Sequence, residues 1–321
     1  MFNNMNFRTD LALERRDLYR KANALDKEID GIETEEEENG PRTKTARVKV
    51  LDENGARAIG KPIGNYITID IHRLKVATEE DIQESAEVLG KELRQLIAKH
   101  ATPKDEILVV GLGNQYVTPD SLGPKVINDI DVTRHILTYM PQVLSNETRP
   151  VSAISPGVLG TTGIETLEIL KGIVDNVHPK LLIVIDALAS RSIERISSTI
   201  QLADTGITPG AGVGNTRKDL SKDTLGIPVI ALGIPTVVDA ATIAADSLDL
   251  FIQKLQQEAN SNEFLNNLQE EDKYEMIKQV LVPEDYNFIV TPKEIDDLIE
   301  NMSSVVARGI NIATQPENIN G

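Results

Sequence analysis

The sequence of 321 residues contains no cysteine and no tryptophan, and aromatic residues make up only 3% of it. Without cysteine the chain cannot form disulfides, thiolate metal sites or a cysteine nucleophile, and this composition fits a reducing compartment. Because aromatic rings are so few, aliphatic side chains must build the core.

Signals for membranes and secretion are also lacking. The N-terminus has no basic segment followed by an apolar one, which is the pattern of a secretion signal. No apolar stretch approaches the ~20 residues that a transmembrane helix requires. We therefore predict a cytoplasmic location and no association with membranes.

Positive charge is scarce. The chain has 33 Lys and Arg residues against 50 Asp and Glu residues, which gives a formal net charge of -17. This negative field repels phosphate backbones, so direct binding of nucleic acid is disfavoured. The same field favours basic or neutral partners, but an acidic surface also serves solubility alone.

The first part of the chain, residues 11–45, differs from the rest. The run Glu33–Glu38 is almost entirely acidic and turn-forming residues follow it, which predicts a solvated acidic loop. Apolar and polar residues then alternate over 46–74, which predicts a small N-terminal β element. We assign residues 46–321 to a single α/β domain with a polar surface insertion at 256–273.

Three runs of uninterrupted aliphatic residues predict central strands at 107–110, 181–185 and 228–232. Such runs suit strands that are buried on both faces. Helical patterns between and after them indicate a three-layer α/β/α sandwich with a mostly parallel central sheet. Thr78 and Thr291 are predicted to cap two of the helices.

Carboxylates follow two of these strands, at the sheet edge where parallel sheets place their ligands. Asp186 ends the second apolar run, and Asp120 lies in the loop after the first. Taken singly, Asp186 could act as a cap or pair with Arg191 or Arg195, and Asp120 could cap the next helix. As a pair, two crowded carboxylates cannot both ionise easily, so one keeps its proton while the other acts as a base on water. The pair predicts acid–base hydrolysis.

The other motifs are less specific. Gly111 and Gly113 follow a strand, but residue 116 is Tyr, so the third glycine of a dinucleotide fingerprint is missing. The glycine-rich stretch 210–215 lacks the Lys-Ser/Thr of a phosphate-binding loop, and we interpret it as a flexible loop that faces substrate. The four histidines show no metal-ligand spacing, and only His135 lies near the site loops. We predict neither a cofactor nor a metal.

Long strings of the sequence match a known family. They are spread through most of the chain: Gly111–Asn114, Val117–Pro124, Arg149–Ala153, Gly163–Thr166, Ile185–Arg195, Gly226–Ile230, Gly233–Ala240 and Val290–Glu294. Through these strings the chain resembles the germination proteases of endospore-forming bacteria, also called spore proteases, which are classed as unusual aspartic peptidases.

The resemblance implies a fold related to hydrogenase-maturation endopeptidases and a homotetramer. It implies an inactive precursor that trims itself and then degrades the small acid-soluble proteins that coat spore DNA, inside the forespore or spore core. The two essential aspartates of the family fall on Asp120 and Asp186. Three arginines are candidates to pair with a substrate glutamate: Arg191, Arg195 and Arg217.

The N-terminus resembles a substrate of the same family. Family substrates have Thr or Ser followed by Glu, and are cut before a large apolar residue that precedes Ala, a spacer and Glu. Residues Thr9–Glu14 have this order with Asp10 in place of Glu. We predict cleavage between Asp10 and Leu11, which makes residues 1–10 a propeptide. An N-terminal cap of a short helix is the alternative role of Thr9 or Asp10.

Two other functions stay open at this point. Asp120 and Asp186 could hold a divalent ion that activates water, as in a metal-dependent peptidase of the hydrogenase-maturation type, although no third ligand is evident. An acidic, non-enzymatic carrier of basic spore proteins would use the charge of -17 and would need no pair of aspartates. Sensitivity to a chelator favours the first alternative, and binding without cleavage favours the second.

Overall fold

A computed structural model describes residues 9–72, 74–210, 217–258 and 288–315. Nine strands in this part of the chain form one sheet: β1 (Ile32–Glu38), β2 (Thr43–Val50), β3 (Gly64–Ile71), β4 (Ile107–Gly111), β5 (Val151–Ile154), β6 (Leu181–Ser190), β7 (Thr199–Ala203), β8 (Val229–Asp239) and β9 (Ile289–Val290). Their order is β1-β2-β3-β7-β8-β6-β4-β5, and β9 pairs with β8.

Ten α-helices flank this sheet within the described residues: α1 (Ala12–Ala22), α2 (Glu53–Ile59), α3 (Glu79–Ala98), α4 (Leu122–Asn128), α5 (Arg134–Tyr139), α6 (Leu159–Thr162), α7 (Thr166–Val177), α8 (Lys222–Leu225), α9 (Ala240–Glu258) and α10 (Ile295–Thr314). One face of the sheet packs against α3, α4 and α10 through the largest buried cluster. The other face is divided, because α1 covers β2 and β3 while α7 and α8 cover β4 and β6.

The sheet is parallel in one half and antiparallel in the other. Strands β8, β6, β4 and β5 are parallel neighbours, as the aliphatic runs predicted. The predicted N-terminal β element continues the same sheet, because β3 pairs antiparallel with β7 and β7 with β8. The α/β/α layering is confirmed. The domain boundary that we placed at residue 46 lies inside β2.

The acidic run at 33–38 is a strand, so the predicted loop is wrong. It forms most of β1, which pairs antiparallel with β2. Basic residues of β2 lie opposite the glutamates, with Lys44 at 2.6 Å from Glu36 and Arg47 at 2.7 Å from Glu37. Opposite charges on neighbouring strands contribute about 0.2–1 kcal/mol per pair. This cross-strand pairing outweighs the preference of an isolated acidic run for solvent.

Helix starts were predicted with mixed success. Thr78 caps α3 and forms a reciprocal capping box with Asp81, as expected. Thr291 does not cap α10, since its hydroxyl donates instead to the carbonyl of Thr236 at 3.0 Å. The predicted insertion begins within the last turn of α9, and its remainder, residues 259–273, lies outside the described residues.

Candidate active site

The loop after β4 folds back so that Asp120 approaches the end of the strand. The backbone N–H of Asn114 donates to Oδ2 of Asp120 at 2.8 Å. Gly113 makes this approach possible, because it has φ +114° and a Cβ there would lie 2.0 Å from the carbonyl oxygen of Asp120. The N–H of Leu112 donates to the carbonyl of Ile185 at 2.8 Å, which ties the loop to the residue before Asp186.

Asp186 lies within β6 and is only 6% exposed. One of its oxygens accepts the N–H of Ala187 at 3.0 Å. The arginines considered as its partners are engaged elsewhere: Arg191 pairs with Asp246 at 2.6 Å, and Arg195 pairs with Asp70 at 3.0 Å.

The electrostatics of the two aspartates differ. Burial raises the pKa of Asp186 well above its usual range, and the negative charges of Asp120 and Asp10 raise it further. Burial also raises the pKa of Asp120, while the hydrogen bond from Asn114 opposes this rise. The arrangement therefore favours a neutral Asp186 beside an Asp120 that ionises more readily.

The segment Thr9–Glu14 lies against β6, the strand that carries Asp186. The N–H of Asp10 donates to the carbonyl of Ala189 at 3.1 Å, and the carboxylate of Asp10 accepts the N–H of Ala189 at 3.1 Å. The side-chain amide of Gln201 donates to the carbonyl oxygen of Asp10 at 3.2 Å and accepts the N–H of Ala12 at 2.6 Å. Leu11 is fully buried. The peptide bond between Asp10 and Leu11 is thus held against β6 at Ala189, three residues beyond Asp186, and Leu11 is extended.

Cations also surround Asp10. Burial lowers the pKa of Lys61 to about 8, and the negative charge of Asp10 opposes this fall. The guanidinium of Arg15 donates to the carbonyl of Thr9 at 2.9 Å. These groups offset part of the negative charge that Asp10 brings to the two aspartates.

Glu14 is bound by the residues that directly follow β6. Its carboxylate accepts the backbone N–H groups of Arg191 at 3.0 Å and Ser192 at 3.2 Å. It also pairs with Arg195 at 3.5 Å and accepts the hydroxyl of Thr9. A carboxylate that is 8% exposed is thereby paired and hydrogen-bonded. The predicted helix cap by Thr9 or Asp10 is wrong, because Leu11 occupies the cap position of α1 and no side chain caps it.

The remaining candidates lie elsewhere or outside the described residues. The backbone N–H of Arg217 donates to the carbonyl of Pro209 at 3.0 Å. Residues 211–215 of the glycine-rich stretch lie outside the described residues. His135 is exposed on α5. Among the described residues, no group of three or more His, Cys, Asp or Glu side chains could hold a metal ion, and no helix is long and apolar enough to cross a membrane.

Two site residues were missed by the sequence reasoning. Gln201 interrupts the apolar stretch of β7, and a polar side chain in such a position requires a hydrogen-bond partner. Glu14 was part of the substrate-like pattern, but its binding site was not predicted. The position of Gln201 within an apolar strand could have marked it as a site residue. Its partners could not have been predicted, because they are 189 and 191 residues away in sequence.

Comparison with known proteins identifies the family. The family model described as germination protease matches residues 11–267 and 262–320. A germination protease of Caldanaerobacter subterraneus subsp. tengcongensis is 50% identical over 319 residues, which cover 97% of this chain and 95% of that protein. The chain belongs to the germination protease family.

Other members of the family are similar over nearly their whole length. A germination protease of Clostridium perfringens is 49% identical, with 97% of this chain and 96% of that protein covered. One from Bacillus licheniformis is 42% identical, with coverages of 95% and 92%. Family membership makes this chain an endopeptidase of spore germination, which confirms the resemblance.

Proposed function

We propose that this germination protease hydrolyses peptide bonds with Asp120 and Asp186 as an acid–base pair, and that its first substrate is its own Asp10–Leu11 bond. The observation that carries the proposal is the position of that bond. Asp10 is hydrogen-bonded to Ala189, and its charge acts on Asp186. A pair of carboxylates with unequal protonation is the arrangement that acid–base hydrolysis needs.

The pKa of Asp186 is raised further than that of Asp120, which supports the following division of roles between the two aspartates. Ionised Asp120 takes a proton from water as the water oxygen attacks the carbonyl carbon of Asp10. Neutral Asp186 gives its proton to the carbonyl oxygen, and a gem-diol forms. Asp120 then gives its proton to the nitrogen of Leu11 as the carbon–nitrogen bond breaks. Asp186 recovers its proton from a gem-diol hydroxyl, which leaves a carboxyl group on Asp10 and an amine on Leu11.

The N-terminal segment Thr9–Glu14 also suggests how other substrates bind. It presents acidic residues at two sites, and Arg195 together with two backbone N–H groups binds the second of them, Glu14. We propose that small acid-soluble spore proteins in the spore core place a glutamate in the same position. Arg191 contributes its backbone there, while Arg217 keeps only its predicted role. A homotetramer also remains a prediction from the family resemblance.

The test compares the full-length wild type with Asp120→Asn and Asp186→Asn. Mass spectrometry follows the loss of residues 1–10, and a peptide containing Thr-Glu-Phe-Ala-Ser-Glu reports cleavage of a separate substrate by chains that begin at Leu11. We expect the wild type to cut after the acidic residue with or without a chelator. Both variants should lose at least about 1000-fold in rate, because each lacks a proton carrier that the reaction requires.

Each alternative function gives its own result. Reversible loss of cleavage in chelator, restored by one defined divalent metal, would replace the acid–base pair with a metal-bound water. Tight binding of a basic spore protein without cleavage would favour the carrier. A processed chain whose first residue is not Leu11 would disprove the assigned processing site. Asp129→Asn serves as a control, because it makes the same chemical change at the far end of α4, the helix that follows Asp120.

A further inference from the structure

The side chain of Gln201 bridges the peptide bond that is proposed to be cut. Its Nε2 donates to the carbonyl oxygen of Asp10 at 3.2 Å, on one side of that bond. Its Oε1 accepts the N–H of Ala12 at 2.6 Å, on the other side. A single amide therefore contacts the reacting carbonyl and fixes the register of the residues that follow it.

The orientation of this amide is fixed by its partners. The backbone of Ala12 offers only a hydrogen to Gln201, and the backbone of Asp10 offers only a carbonyl oxygen. A reversed amide would place oxygen against oxygen and nitrogen against nitrogen. Gln201 is 6% exposed, so water does not compete effectively for its hydrogen bonds.

Strand pairing places Gln201 and Asp186 on the same face of the sheet. Both residues are paired with Gly233 of β8, Gln201 from β7 on one side and Asp186 from β6 on the other. Residues paired directly across neighbouring strands project from the same face of a sheet. Gly233 itself has no side chain, and the side chain of Leu188 from β6 fills the space above it. A Cβ at Gly233 would lie 2.2 Å from Leu188.

We infer that Gln201 is a further catalytic residue, which donates a hydrogen bond to the oxygen of the reacting carbonyl and stabilises the negative charge that develops there. This inference rests on the proposed function, since it assumes that the Asp10–Leu11 bond is cut. As water attacks, the carbonyl oxygen gains negative charge before the proton of Asp186 is fully transferred. A buried amide donor already in place strengthens its bond to that oxygen and needs no reorganisation.

Self-processing of the full chain tests this role directly. The bond is already docked, so the first-order rate constant for loss of residues 1–10 reports chemistry and does not depend on substrate affinity. Independence of this rate constant from protein concentration shows that the reaction is intramolecular. We expect Gln201→Met, which keeps the length but has no donor, to slow processing about 100-fold, as removal of one such donor does in other hydrolases.

Gln201→Glu provides a readout that a purely structural role would not change. Glutamate has the same shape, but only its protonated form donates to the carbonyl of Asp10. We therefore expect the ratio of its rate constant to that of the wild type to rise about tenfold or more as the pH falls from neutral to mildly acidic. This variant also keeps the test valid if Gln201→Met does not fold. Gln83→Met, on the exposed side of α3, is the matched control.

The outcomes separate the two claims. If the wild type loses no residues from its N-terminus, the proposed self-processing fails and Gln201 has no reacting carbonyl to bind. If the wild type is processed but Gln201→Met is processed within threefold of its rate, the inference about Gln201 is wrong while the acid–base pair stands. A pH-independent ratio for folded Gln201→Glu also overturns it.

Discussion

Replacement of Asp186 by asparagine should make the protein more stable at neutral pH, even though it removes activity. The carboxyl of Asp186 is buried, and its pKa is raised by burial and by the charges of Asp120 and Asp10. In the unfolded chain the same group has an ordinary pKa of about 3.9. Folding above that pH must therefore bind a proton, or bury a charge, that asparagine does not require.

The sign and size of the effect follow from proton linkage. Below pH ~4 the carboxyl is protonated in both states, so the penalty is absent. As the pH rises towards the folded-state pKa, the wild type loses about 1.4 kcal/mol of unfolding free energy per pH unit through this group. Above the folded-state pKa the loss levels off. Asp186→Asn lacks this slope, so its advantage grows with pH.

The assay is urea unfolding of both full-length chains between pH 4.5 and 7, at one protein concentration and after mass spectrometry has confirmed an intact N-terminus. A difference in unfolding free energy that does not change with pH would refute the reasoning. Asp70→Asn is the matched control, because Asp70 is paired with Arg195 at 3.0 Å and accepts the hydroxyl of Thr199 at 2.5 Å. The unfolding free energy of Asp70→Asn should be about 1–3 kcal/mol lower than that of the wild type at neutral pH.

Two further substitutions test the site. Gly113→Ala should lower the rate of peptide cleavage more than tenfold and the unfolding free energy by about 1–3 kcal/mol, because its Cβ would collide with Asp120. The control is Gly172→Ala in α7, where a Cβ would have nothing within 4 Å, and this variant should be as stable as the wild type or more stable. Arg195→Ala should lower kcat/KM for the Thr-Glu-Phe-Ala-Ser-Glu peptide about fivefold, as expected for the loss of ~1 kcal/mol from the contact that Glu14 models. Equal values for Arg195→Ala and Arg217→Ala would contradict that contact.

The parallel half of the sheet was readable from the sequence because burial on both faces leaves a continuous aliphatic run, as in 181–185. In the antiparallel half, alternation predicted the element that contains β2 and β3 but missed β1, whose stability comes from pairs with β2. The acidic strand β1 depends on Lys44, Arg47 and Lys49 of β2, and composition within a short window does not report such partners. Capping followed the same rule: Thr78 bonds within its own turn, whereas Thr291 bonds to a distant strand.

The sequence predicted the two aspartates of the site but not the contacts that hold the segment Thr9–Glu14. Asp120 follows β4 and Asp186 ends the aliphatic part of β6, its parallel neighbour, so a rule about parallel strands brings them together. The sequence did not predict that β6 continues to Ser190. The binding of Thr9–Glu14 against β6 depends on contacts between residues nearly 180 positions apart, such as Asp10 with Ala189. No local pattern encodes that distance. The difference in pKa between the two aspartates depends on burial and on neighbouring charges and hydrogen bonds, which the fold determines.

The acidic strand β1 has a consequence for association between chains. It is a terminal strand of the described sheet, and its outer edge carries unpaired backbone groups of the kind that recruit a strand from another molecule. Four consecutive glutamates at 35–38 would have to approach the same four residues of a second copy in any edge-to-edge pairing. Repulsion between these glutamates disfavours pairing of this edge with the same edge of a second chain.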